Sequence, residues 1–190
     1  MKKRIWCALA IVVSTGFPGV GMAHRLDEYL QATTIILEHD RVVFHVRLTP
    51  GVDVAEQVIG QIDRNGDMVL SPDEQTAYAK KIARNLSVSL NGKRTTLRFD
   101  GGAFPATTLL RAGTGVVELQ FNLPMHMTAG HYRLTYTNAA TEPDIVHLVN
   151  CLVPQDPAVH VTGQKRSQDQ SVYRLDFTVM DGRPAPHPTQ

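Results

Sequence analysis

The sequence predicts a mostly β protein: an antiparallel β-sandwich carrying an inserted helix-loop-helix. Three observations lead there. Short runs rich in β-branched and aromatic residues recur along the chain, each closed by glycine, proline or polar turns. Asn91-Gly92 lies between two alternating runs, a strong short-range hairpin signal. Between Val52 and Leu86 the apolar spacing changes from that of a strand to that of a helix.

Taken in order, "YLQATTIILE" and "RVVFHVRLT" read as a hairpin separated by "HD". In its second arm Val42, Phe44 and Val46 alternate with Val43, His45 and Arg47, which predicts one buried and one wetter face. Helical spacing then sets in at Val54, Val58, Ile59 and Ile62. A second helix starts at Ser71-Pro72-Asp73-Glu74, with serine at the cap, proline at the first helical position and glutamate three residues after the cap. Ala77, Tyr78, Ile82 and Leu86 continue its apolar face. Strand patterning returns with "SVSLNGKRTTLRF", "GVVELQFNL", "GHYRLTYTN", "DIVHLVNCLV", "PAVHVTGQ" and "SVYRLDFTV". The chain shows no internal repeat.

The first 23 residues have the layout of a secretory signal peptide. Lys2, Lys3 and Arg4 precede an apolar stretch, and Gly21-Met22-Ala23 offers a small-residue exit. Ser14, Gly16, Pro18 and Gly19 break that stretch before it reaches the ~20 apolar residues of a membrane span. The expectation is therefore a periplasmic or secreted protein beginning at His24, without a membrane span once the signal is removed. The domain would occupy 24–180, with the insertion at 52–86, and 181–190 would form a flexible proline-rich tail. Residues 1–23 hold three of the 19 basic and none of the 18 acidic residues, so the remainder carries a formal charge of −2. That balance, with basic residues scattered, argues against a nucleic-acid partner. Cys151 is then the one remaining cysteine, which excludes an internal disulfide and reads as a buried apolar residue.

The most specific signal is Asp63 to Glu74, "DRNGDMVLSPDE". Calcium takes six to eight oxygen ligands, which a helix-loop-helix supplies at fixed offsets within twelve residues. Asp63, Asn65 and Asp67 fill the first, third and fifth offsets, and Val69 offers its backbone carbonyl at the seventh. Ser71 takes the ninth, and Glu74 stands at the twelfth, where a carboxylate can use both oxygens. Leu70, at the eighth, is placed to pack between the helices. Met68 occupies the sixth offset, where the sharp turn favours glycine. A left-handed conformation there costs an L-residue roughly 1–2 kcal/mol, so weak calcium binding is expected, in the ~10⁻⁴–10⁻³ M class of extracellular modules.

On these residues the segment from Val52 to Leu86 resembles an EF-hand, which implies calcium as the bound ion. More broadly, "AHRLDEYLQAT", "LTPGV" and "LVNCLVPQDP" resemble the extracytoplasmic β-rich region of bacterial membrane proteins of the hydrogenase/urease nickel-accessory type. Together these imply an exported accessory or binding module of the cell envelope, with calcium mainly structural and an envelope protein as partner.

A rival metal reading uses copper or nickel. An N-terminal His24 would offer its amine and ring, and "PMHM" places Met125, His126 and Met127 in a row. The simpler expectation for that row is a surface turn with adaptable methionines. His39, His45, His131, His147, His160 and His187 show no paired metal spacing. No enzyme is expected: the chain lacks a nucleophile elbow, an H-E-x-x-H helix and a phosphate-cradling loop. Only folding could pair carboxylates such as Asp27 with Glu28, or Asp169 with Asp176.

Overall fold

Alternation of apolar and polar residues makes Tyr29–Leu37 (β1) and Arg41–Pro50 (β2) an antiparallel pair, with Ile35 opposite Phe44. A computed structural model describes residues 27–141 and 144–180 of the chain. The signal-like segment, His24 and the tail from 181 onward lie outside the described residues.

After β2 come two helices, Val52–Ile62 (α1) and Pro72–Asn85 (α2), and then strands Leu86–Leu90 (β3), Lys93–Thr95 (β4) and Arg98–Ala103 (β5). A short helix, Thr107–Arg111 (α3), precedes Val117–Pro124 (β6), Gly130–Asn138 (β7), Ile145–Cys151 (β8), Val159–Arg166 (β9) and Val172–Val179 (β10). The strands form two five-stranded sheets, ordered β5-β6-β2-β1-β8 and β4-β3-β7-β10-β9. The protein is thus mostly β, with the sandwich architecture that its strand pattern predicts. One pairing departs from the antiparallel expectation: β8 runs parallel to β1, with Ala32 opposite Leu148. Strand periodicity cannot reveal this, because both directions share the same two-residue repeat.

The inner faces meet over Phe44, Val46, Leu48, Phe121, Leu134, Leu175 and Phe177. Two polar bridges cross this core from β1 to β7. Thr33 Oγ1 lies 2.8 Å from Tyr136 Oη, and Asn138 Nδ2 donates to Gln31 Oε1 at 2.8 Å. Satisfied in this way, Gln31 and Thr33 are buried without the cost of unpaired polar groups. At one edge Arg166 of β9 donates to Val149 O and Asn150 Oδ1 of β8, joining the two sheets.

The helix pair is the passage from one sheet to the other, since β2 leads into α1 and α2 runs directly into β3. Val54, Val58, Ile59 and Ile62 of α1 are all buried, as their spacing predicts. On α2 the buried residues include Tyr78, Ala79 and Ile82, with Ala79 in place of the expected Ala77. Asn91 (φ 50°) and Gly92 (φ 80°) form the tight turn between β3 and β4. That hairpin is short, because the chain leaves it to place β5 in the other sheet.

Candidate metal site

The loop between α1 and α2 is organised from both ends. Asp63 follows the last turn of α1, and its backbone N–H donates to Ile59 O. Ser71 caps α2: its hydroxyl accepts from Glu74 N–H while its backbone N–H donates to Glu74 Oε2, which together form the capping box, and the hydroxyl also donates to Oε2 at 2.7 Å. The helix start signal in the sequence is therefore met residue by residue.

Between these ends the side chains fold onto the loop's own backbone. Asp63 accepts Gly66 N–H through Oδ1 at 2.8 Å and Met68 N–H through Oδ2 at 2.9 Å. Asn65 Oδ1 accepts Asp67 N–H at 3.0 Å, and Asp67 Oδ1 accepts Val69 N–H at 2.8 Å. Glu74 reaches back across the loop, with Oε1 accepting from Arg64 N–H at 2.8 Å and Oε2 from Ser71 N–H at 3.0 Å. The bonds from Ser71 and from the Arg64 and Asn65 backbone hold the Glu74 carboxyl well below its usual range, at about 2. Asp63 and Glu74 are buried, whereas Asn65 and Asp67 face solvent. Leu70 is partly buried and packs against the core.

Met68 adopts φ 68°, the left-handed conformation predicted at the sixth position, and Gly66 adds φ 76° two residues earlier. What holds a methionine there is a part of the sandwich that the sequence reading missed. Thr107 Oγ1, at the start of α3, donates to Met68 O at 3.2 Å, and Arg111 Nη2 stands 3.2 Å from Met68 Sδ. Arg111 is itself held by a short hydrogen bond from Nε to Glu56 of α1. The five-residue α3 had only the weak signal of "TTLLR" followed by Gly113 and Gly115. Gly115 is needed for its exit, since a Cβ there would lie 2.8 Å from Leu110 N.

The donors at the expected offsets are thus all on one loop, and all are oxygens. Among the described residues, however, no three His, Cys, Asp or Glu side chains form a group that could hold a metal ion as placed. As placed, Asp63, Asp67 and Glu74 each accept hydrogen bonds from backbone N–H groups. A carboxylate oxygen has two acceptor positions, so these bonds leave capacity for a further partner.

The rival residues are distributed differently. Met127 is 3% exposed and belongs to the core, which corrects the expectation of a surface turn for the whole row. Its alternation with exposed His126 continues inward and outward facing past the end of β6, so the two Met and one His are not a single ligand set. Met125 packs at the edge of the core. His126 instead meets His39, an approach that sequence spacing did not show. Cys151 is buried and its thiol is pushed up to about 11 by burial, as suits an apolar core residue. Asp169 bonds within the β9–β10 turn through Ser167 and Ser171, and Asp176 pairs with Arg133 at 2.6 Å, so neither carboxylate is set against the other for catalysis. Among the described residues no helix is long and apolar enough to cross a membrane.

The chain matches no protein-family profile, no curated protein and no solved structure.

Proposed function

We propose that the Asp63–Glu74 loop is an EF-hand-like calcium site and that the protein is an exported binding or accessory module of the cell envelope. The observation that carries this reading is the pairing of an all-oxygen donor set with a left-handed Met68, held by α3. Calcium would draw on the Asp63, Asn65, Asp67 and Ser71 side chains, the Val69 carbonyl and both oxygens of Glu74. The acceptor capacity that the backbone bonds leave on these carboxylates is what the ion would use.

The ion's role is structural. Because the loop connects the two sheets, ordering it steadies the passage from β2 to β3. Binding to the folded form alone adds RT ln(1 + [L]/Kd), about 2.7 kcal/mol at a hundredfold excess of calcium. No catalytic role is assigned. Export follows from the signal-like residues 1–23, and the partner is an envelope protein of unspecified identity. Calorimetric titration of the exported chain with calcium tests the site: one equivalent of heat is expected, and its absence at millimolar calcium overturns the reading. Intact mass of the exported protein, expected to begin at His24, tests the location.

A further inference from the structure

The β1–β2 turn and the segment joining β6 to β7 lie side by side. Met125 N–H donates to Asp40 O at 2.9 Å, and the neighbouring rings of His39 and His126 meet edge to face with centres 6.1 Å apart. Both histidines are exposed. A third residue arrives from the other end of the sequence: Asp156 Oδ2 lies 3.3 Å from His39 Nδ1. Asp156 is held in turn, because its Oδ1 accepts Ala158 N–H at 2.8 Å.

We propose that His39 and His126 form a two-histidine site for a divalent transition ion of the copper, nickel or zinc kind, with Asp156 as a positioning residue. With Nδ1–H of His39 donated to the Asp156 carboxylate, Nε2 is left with the lone pair that a metal takes. A carboxylate behind an imidazole is the usual arrangement for fixing the tautomer and ring orientation of a metal ligand. The ring separation also suits a shared ion. With bonds of about 2.0–2.1 Å, two imidazoles have centres roughly 5 Å apart at a tetrahedral metal and roughly 6.5 Å apart when trans, so the observed separation fits a wide angle at the metal, and a small rotation of the exposed rings gives a narrower one.

His126 is further steadied by the residues on either side. Met127 is anchored in the core and Met125 packs against it, so the imidazole between them projects from a fixed backbone. Among the described residues no third His, Cys, Asp or Glu completes the set, so the remaining positions belong to water or another exchangeable ligand. Such a site holds an ion reversibly. Its nitrogen donors prefer borderline ions, whereas the oxygen loop prefers calcium, so one domain would sort two classes of cation.

The test is titration of the exported chain carrying His24→Ala, in saturating calcium, with Cu(II), Ni(II) and Zn(II) separately. Removing His24 eliminates the terminal chelate as a competing ligand. One equivalent of at least one ion is expected, with nitrogen couplings in the electron paramagnetic resonance spectrum if it is Cu(II). His39→Ala and His126→Ala should each weaken binding at least tenfold, and Asp156→Asn by several-fold or more. Melting temperatures without added transition metal confirm that the variants are folded; His39→Gln and His126→Gln serve where alanine destabilises. No binding by the parent chain, or undiminished binding in both histidine variants, overturns the proposal. Calcium titration of the same proteins reads the loop separately, so failure of one site is not mistaken for failure of the other.

Discussion

The phenolic oxygens of Tyr29 and Tyr78 stand 2.6 Å apart inside the protein, joining the first strand of the sandwich to the helix that follows the loop. Tyr78 lies one helical turn beyond Glu74, and Tyr29 follows Glu28, whose carbonyl accepts Gly51 N–H where α1 begins. The start of α1 and the middle of α2 are thus both tied to the start of β1. Burial raises both phenols, Tyr78 to about 12, so both remain protonated donors across the physiological range.

This contact predicts a non-additive pair of substitutions. Tyr78→Phe should cost about 1–3 kcal/mol, because it leaves the Tyr29 hydroxyl buried without its partner. Tyr29→Phe with Tyr78→Phe should cost less than the sum of the single changes. Urea denaturation of the four proteins checks this; strict additivity would mean that the two hydroxyls do not depend on each other.

Glu74 predicts an acid-side loss of stability. Its folded value of about 2 lies below the ordinary glutamate value of roughly 4.3. The contribution is therefore fully present above about pH 5 and is lost as the pH falls toward 2. Glu74→Gln cannot titrate, so its stability should decline less between pH 6 and pH 3. Asp169 is held at about 2 by Ser167 and Ser171 and titrates in both proteins, so the difference isolates Glu74. The same variant should lose its calcium-dependent rise in melting temperature. A role in capping alone would instead lower the melting temperature equally with and without calcium.

Met68→Gly tests the left-handed residue. The folded loop already carries φ 68° at this residue, so relief of roughly 1–2 kcal/mol of strain should appear as added stability. Part of that gain is offset by losing the Arg111 contact and by the greater freedom of glycine in the unfolded chain. Urea denaturation without added calcium is the measurement, and a stability equal to or below that of the parent would show that φ at this position carries no net strain.

Met127 and Met125 should behave differently despite their matching sequence context. Met127→Ala opens space in the core and should cost about 2–5 kcal/mol. Met125→Ala, at the core's edge, should cost clearly less. Denaturation midpoints decide it; equal small losses would place Met127 at the surface.

Much of this was legible in local pattern. Ser71, Pro72 and Glu74 specify a helix start within four residues, and Asn91-Gly92 specifies a turn within two. Neither needs help from the rest of the chain, because their hydrogen bonds and φ values are local. The exchange of Ala77 for Ala79 on the buried face marks where local pattern fails, since facing is decided by what packs opposite.

By itself, then, the sequence determined the β class, the helix pair and a twelve-residue loop with oxygen donors at regular offsets, Asp63 to Glu74. These depend on periodicity, capping and turn chemistry, all of which act over a few residues. The tertiary structure alone decided that β8 runs parallel to β1, that α3 holds Met68, and that Met127 faces inward. It also brought His39, His126 and Asp156 together from distant parts of the chain. Such contacts arise when two sheets close over a shared core, and no local spacing encodes which distant residues that closure will make neighbours.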